Sequence, residues 1–196
     1  MIFVPRRGGV PKTINFVEYI ESTGTQYVNT GIKPTNNLRV VMDAQLTSDQ
    51  ESPQTFLGTR SSDGSVTYVF WYVGSSTLRS DYGNTNLKTT DVGVTDRLLI
   101  DKNKNVCLVN NTTLTHTEST FQSTLDMFLF SLNYGGNVQY YARLKLYSCQ
   151  IYDNDVLIRD YWPCYDPDGV ACLYDKVNKE YVYNAGTGEF IAGMAA

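Results

Sequence analysis

The sequence predicts an all-β fold, a two-sheet antiparallel sandwich, and three observations carry that prediction. The first is composition: 15 Tyr, 8 Phe and 2 Trp stand among many Thr, Val, Asn and Gly residues, which suit pleated surfaces and tight turns. The second is hydrophobicity that alternates with a period of two. The third is the regular recurrence of Asp, Asn and Gly turn signals, with no window of about eleven residues that carries the apolar spacing and caps of a helix.

Taken in order, Leu38, Val40, Met42, Ala44 and Leu46 share one side of an extended segment while Arg39, Asp43 and Gln45 take the other. That is the pattern of a half-buried strand. Residues 66–73 are apolar on both faces apart from Thr67, so they read as a central strand covered on both sides. Residues 125–132 and 141–152 read as further long strands, the latter with Ala142, Leu144 and Leu146 opposite Arg143, Lys145 and Tyr147. Turns are expected at 62–64, 82–84, 101–103, 153–155, 168–169 and 186–188, where Asp, Asn and Gly tolerate the backbone a hairpin needs. Roughly a dozen strands with one oily face each must pack as two sheets. No composition shift separates Ile14 from Gly193. The reading is one domain over 14–196, preceded by a basic segment, 1–13, that is either a tail or a docking arm.

A net charge of −4 argues against nucleic acid, whose phosphates demand a basic face. The start, Met1 to Gly9, has a four-residue apolar run before Pro5 and two arginines, which does not read as a signal peptide. No stretch approaches the roughly 20 apolar residues of a membrane helix, so no membrane insertion is expected. Cys107, Cys149, Cys164 and Cys172 form no CxxC pair, and the single His116 completes no zinc site by spacing. They read as small buried residues on strands, with a Cys164 to Cys172 bridge as the alternative. No cofactor is expected. Calcium at the acidic loop of Asp166 and Asp168 is weighed against an ordinary turn.

Catalysis is not expected either. A retaining glycosidase on a β-sandwich needs two carboxylates about 5 Å apart on one face, and no Glu-x-Asp spacing occurs. The glutamates, Glu18, Glu21, Glu51, Glu118, Glu180 and Glu189, are scattered. His116 has no serine elbow for a partner, and Gly186 to Gly188 lack the lysine and helix of a phosphate loop. Neither catalytic nor metal-ligating residues are assigned. What remains is the material of a carbohydrate site, aromatic faces beside Asp, Asn and Arg. Trp71, Tyr72, Arg79, Asp81, Tyr82 and Asn84 form one such cluster across a hairpin. Asn133 and Tyr134, with Asn137 and Tyr140, form a second around Gly135 and Gly136. The plainer alternative is that the tyrosines pack and that Arg79 and Asp81 make an ordinary surface pair.

Two segments then carry a resemblance. Residues 18–32 (EYIESTGTQYVNTGI) and 146–193 (LYSCQIYDNDVLIRDYWPCYDPDGVACLYDKVNKEYVYNAGTGEFIAG) resemble the concanavalin A-like lectin/glucanase domains, close to laminin-G-like modules, found in gut bacteria and their bacteriophages. The resemblance implies a jelly-roll used as a non-catalytic glycan-binding or adhesion module. In phage versions it is displayed on the virion as a head fibre, decoration or tail receptor-binding protein. It implies a host-surface glycan and other virion proteins as partners and a virion-surface location. The alternative it leaves is a structural capsid or tail decoration protein without glycan binding; a laminarinase-like hydrolase is a more distant one, since the paired acids are missing. Tyr174, Asp175, Asn184, Gly186 and Gly188 match the family as architectural residues. Homo-oligomerisation is expected because sandwich edges tend to be paired or covered.

Overall fold

The structure, a computed structural model, describes residues 14–49, 53–89 and 93–196. The basic segment 1–13, read above as a tail or arm, lies outside the described residues. Among these there is no helix. The chain enters a larger sheet with β1 (Asn15–Phe16) and β2 (Ile20–Thr23), crosses to a smaller sheet with β3 (Val28–Asn29), and returns with β4 (Leu38–Leu46). It crosses again for a meander of β5 (Gln54–Arg60), β6 (Thr67–Tyr72), β7 (Leu78–Gly83) and β8 (Thr85–Thr89). A second meander, β9 (Leu98–Asn103), β10 (Val106–Val109) and β11 (Thr112–Thr115), extends the larger sheet. β12 (Phe128–Leu129), β13 (Leu132–Tyr134) and β14 (Asn137–Gln139) then complete the smaller one. The larger is closed by β15 (Arg143–Asp153), β16 (Val156–Tyr165), β17 (Ala171–Asp175), β18 (Glu180–Val182) and β19 (Ile191–Ala192). The result is an all-β, two-sheet sandwich of the jelly-roll kind, antiparallel except where β13 runs parallel to β5.

The alternation read in β4 is the one observed, buried at every second residue from Leu38 to Leu46. β6 is buried at all six positions, as an apolar run covered on both faces must be. Two expectations need correction. Residues 125–132 do not make one strand: Phe130 adopts φ 67°, which turns the chain between β12 and β13. Asp101, Lys102 and Asn103 are not a turn but the end of β9, and Lys102 is wholly buried. The reversal comes one step later, at Lys104 with φ 52°.

The main core lies between the sheets, where Phe56, Tyr68, Phe70 and Leu129 of the smaller sheet meet Ile20, Val40, Met42, Ile100 and Leu146 of the larger. Each such side chain contributes about 1.5–3 kcal/mol by leaving water. A second, smaller apolar cluster sits on the outer face of the smaller sheet: Val69, Trp71 and Leu132, with Val73 and Tyr134 packed against them. It closes over Gly58. A Cβ there would stand 2.9 Å from both Val69 methyls and 3.0 Å from Leu132 Cδ1.

Residues 18–32 and the chain's C-terminal hairpins, far apart in sequence, meet as a clasp. Asn184 Oδ1 accepts from Tyr27 N (3.1 Å) and Gly186 N (2.8 Å), while its Nδ2 donates to Gly188 O (2.8 Å). Thr25 and Thr187 exchange bonds, Thr25 Oγ1 to Thr187 O at 2.9 Å and Thr187 N to Thr25 O at 3.1 Å. Gln26 Oε1, folded back beneath, accepts from Thr23 N at 2.8 Å. A side chain at Gly186 would overlap the Thr25 carbonyl oxygen, so the loop approaches this closely only through glycine. Gly186→Ala should lower stability by about 1–3 kcal/mol, and Asn184→Ala by a similar amount through its orphaned donors. Urea unfolding measures both; an unchanged midpoint for either variant would dismiss the clasp as a structural tie.

Candidate functional site: the outer face of the smaller sheet

Strand register lays the outer face out in three rows. Thr55, Trp71, Arg79 and Lys88 are successive partners across β5 to β8. Gly58, Val69, Asp81 and Asn86 form the next row, and Arg60 and Thr67 the third, with Tyr134 of β13 beside Arg60. Cations roof this face. The Arg79 guanidinium lies 5.0 Å from the Trp71 ring centre, and Arg60 lies 5.7 Å from that of Tyr134. Arg79 Nε donates to Asp81 Oδ1 at 2.6 Å. Asp81 is buried, and burial raises its pKa against the opposing pull of Arg79. Tyr140, 40% exposed, stands beside Trp71 with ring centres 5.9 Å apart.

The face also gathers unmet hydrogen-bonding capacity. Thr55 Oγ1, Arg60 Nε, Trp71 Nε1 and Asp81 Oδ2 are four of the seven buried side-chain polar atoms without a partner among the described residues. Around them the side chains of Asn86, Lys88 and Asn137 are exposed. Buried polar atoms are seldom left unpaired, so their concentration on one face marks it out.

The pleat divides the residues that sequence proximity had grouped. Trp71, Arg79 and Asp81 point outward, and Tyr134 joins them from β13. Tyr72 and Tyr82, one residue out of step, point into the main core. Their hydroxyls donate to Asp49 O (2.7 Å) and Asn36 O (3.1 Å). Asn133 braces its own turn, donating to Asp126 O (2.9 Å) and accepting from Gly136 N (3.0 Å), and Asn84 is exposed in the β7–β8 turn. Trp71 itself is only 7% exposed. It supports the platform, and the rings that reach solvent are Tyr134 and Tyr140. Arg60 was not singled out by sequence reading, because its alignment with Tyr134 depends on the bulge in β5 between Thr55 and Leu57.

Beneath the platform, on the core side of β7, lies a polar chain that sequence reading missed. Lys102 Nζ donates to Ser80 Oγ at 2.9 Å. An ammonium only donates, so the serine proton goes to His116 Nε2, 3.0 Å away. His116 therefore carries its proton on Nδ1 and donates to Thr85 Oγ1 (3.0 Å), which donates to Tyr82 O (2.9 Å). The Tyr68 ring centre lies 4.6 Å from the ammonium. Ser80 is 0% exposed, so this serine–histidine pair is sealed from any substrate. At the adjoining end of the sandwich, Asn36, Asn37, Tyr82, Lys104 and Glu118 line a cleft of about 340 Å³. Several of its polar groups are engaged already: Asn36 with Asn37, Asn37 with Asn154, and Lys104 with Asp155. In the acidic loop, Asp166 Oδ1 accepts from Asp168 N and Val170 N and Oδ2 from Tyr183 Oη, which makes this carboxylate a turn cap. No protein-family model matches the chain, and neither does any curated protein.

Burial lowers the pKa of His116 to about 4 and that of Lys102 to about 8. Both are bases held down by folding, so the unfolded chain binds the extra proton and stability rises with pH through each window. The windows run from about 4 to 6.5 for His116 and from about 8 to 10.5 for Lys102. At pH 7 the lysine penalty is fully present. Lys102→Met should therefore raise stability at pH 7 by about 1–3 kcal/mol and flatten the alkaline rise, while His116→Gln should flatten the acidic one. Denaturant titrations across pH read both; a Lys102→Met protein weaker than the parent at pH 7 would reverse the argument.

Proposed function

We propose that the chain is a non-catalytic carbohydrate-binding or adhesion module displayed on a bacteriophage virion, with the outer face of the smaller sheet as its glycan site. The observation that carries this reading is a pair of tyrosines, the exposed Tyr140 and the half-buried Tyr134, on a platform rich in unpaired polar atoms. Aromatic faces hold the apolar side of a sugar ring, and amides and guanidinium groups fix its hydroxyls. Tyr140 stands by Trp71 and Tyr134 by Arg60, whose partner on β6 is Thr67. Trp71 and Thr67 are four strand residues apart, about 13 Å, a separation that suits an oligosaccharide. Asp81, the acid that the described residues place on the platform, is tied to Arg79, which fits binding without bond cleavage. The virion setting, with host-surface glycan and neighbouring virion proteins as partners, rests on the lectin-like resemblance of the two segments that form the clasp.

A second reading, a structural decoration protein, is favoured by one observation. Trp162, Val170, Val177, Tyr183, Ile191 and Met194 leave large apolar surface exposed along the C-terminal hairpins, a surface suited to protein contacts. Trp162→Asp with Tyr183→Asp should abolish particle incorporation under that reading and leave glycan binding intact.

For the leading reading, Tyr140→Ala and Tyr134→Ala should each weaken binding to host-surface glycans about tenfold or more, Tyr140→Ala at unchanged thermal stability and Tyr134→Ala with a loss of no more than about 1–3 kcal/mol. Trp71→Ala should instead destabilise the domain. Glycan arrays and titration calorimetry provide the measurement, and wild-type protein silent on host glycans and host cells would end the proposal.

A further inference from the structure

All four cysteines are buried and unbridged, but they face in two directions. Cys107 and Cys149 belong to the core between the sheets. Cys164 and Cys172 belong to neither apolar cluster. They are directly opposite each other on β16 and β17. Tyr161 and Leu173 of the same strands point into the core, so Cys164 and Cys172, an odd number of residues away, lie on the outer face of the larger sheet. Their cover there is a layer of aromatic side chains. Phe16 of β1 is the strand partner of Cys164, and Trp162 and Tyr174 are the next facing residues of β16 and β17 on that side. Phe16 and Tyr174 meet edge to face at 6.3 Å, and Tyr174 meets Tyr181 at 5.3 Å. Among the described residues no second sheet shields these sulfurs.

The two sulfurs are 3.7 Å apart. Residues directly opposed in an antiparallel pair have Cα atoms about 4.5–5.5 Å apart, inside the range of about 4.4–6.8 Å that a disulfide spans. Side-chain rotation alone therefore closes the contact to a bond. The other two thiols have no such option. β10 and β15, which carry Cys107 and Cys149, are separated in the sheet by β9 and β4, three strand spacings or about 14 Å.

We propose that Cys164 and Cys172 are an oxidation site, converted by a low-molecular-weight disulfide such as oxidised glutathione into a cross-strand disulfide that staples β16 to β17. The two thiols are in hydrogen-bond contact and either can donate; with Cys172 as donor the Cys164 pKa is lowered and Cys164 is the attacking sulfur. Its thiolate bonds to one sulfur of oxidised glutathione and expels a glutathione thiolate. Cys172, losing its proton, attacks the Cys164 sulfur of the mixed disulfide and expels the second. One S–S bond is broken and one formed; the protein loses two electrons and two protons, which leave on two glutathione thiols. Because β16 also carries β1 through Phe16 and Tyr165, the staple strengthens the edge on which the first described strand docks.

The test exposes the folded full chain to oxidised glutathione, blocks remaining thiols by alkylation after unfolding, and maps the digest by mass spectrometry. The expected product is lighter by two hydrogens, with one cross-linked peptide joining Cys164 to Cys172 and with Cys107 and Cys149 alkylated. Its Tm should rise by roughly 5 °C and return on treatment with a dithiol reductant. Cys172→Ser should stop at a glutathione adduct on Cys164. Two outcomes overturn the proposal: four free thiols after exposure that oxidises the urea-unfolded chain, or cross-links that chiefly involve Cys107 or Cys149.

Discussion

The arrangement depends on one constraint, the burial of β6 on both faces. A strand in the middle of a sheet sends alternate side chains to opposite sides. Tyr68, Phe70 and Tyr72 enter the main core while Val69 and Trp71 form the floor of the outer platform. Its neighbours must follow the same phase, which is why Arg79 and Asp81 appear outside and Ser80 and Tyr82 inside. A one-residue slip of β7 against β6 would drive the Arg79 guanidinium into the core and lift Ser80 out of reach of Lys102. Platform and polar chain are thus two consequences of a single register.

That register also explains what the sequence made legible. Period-two alternation in β4 and the doubly apolar run of β6 were readable because each depends on local pattern alone. Lys102 was not, because Asp101, Lys102 and Asn103 have the composition of a turn. What overrides it is tertiary: the strand continues far enough for Lys102 to reach Ser80. The break at Phe130 was equally hidden, since a bulky residue rarely adopts positive φ. The proposed site was legible only in part. Sequence proximity put Trp71, Tyr72, Arg79, Asp81 and Tyr82 together, whereas the pleat separates them and the crossover to β13 supplies Tyr134. The pairing of Arg60 with Tyr134 is a long-range, parallel contact, and no local pattern announces one.

The interior shows how a polar chain is tolerated in an apolar core. Ser80, His116 and Thr85 each have a direction fixed for their protons once Lys102 is taken as donor. The chain ends on a backbone carbonyl, so every link is satisfied. An ammonium with no acid in hydrogen-bond contact among the described residues is nonetheless costly, and the aromatic faces of Tyr68 and Tyr82 offset only part of that cost. The chain therefore fixes the relative position of β7 and β9 more than it adds stability. It ties the smaller sheet, which carries the platform, to the larger.

The platform's rigidity follows from that tie. Trp71 is clamped between Arg79 above and the sheet below, and Arg79 is itself held by the buried carboxylate of Asp81. A side chain so restrained in the free protein loses little further freedom when something docks against its neighbours. Flexible residues at the same positions would have to be ordered by the ligand at a cost of about 0.5–1.5 kcal/mol each. Holding the indole beneath the surface therefore does for Tyr140 what an exposed indole could not do for itself. It sets a fixed surface against the ring that meets solvent, so that a ligand docking there, as proposed, would meet no ordering penalty underneath.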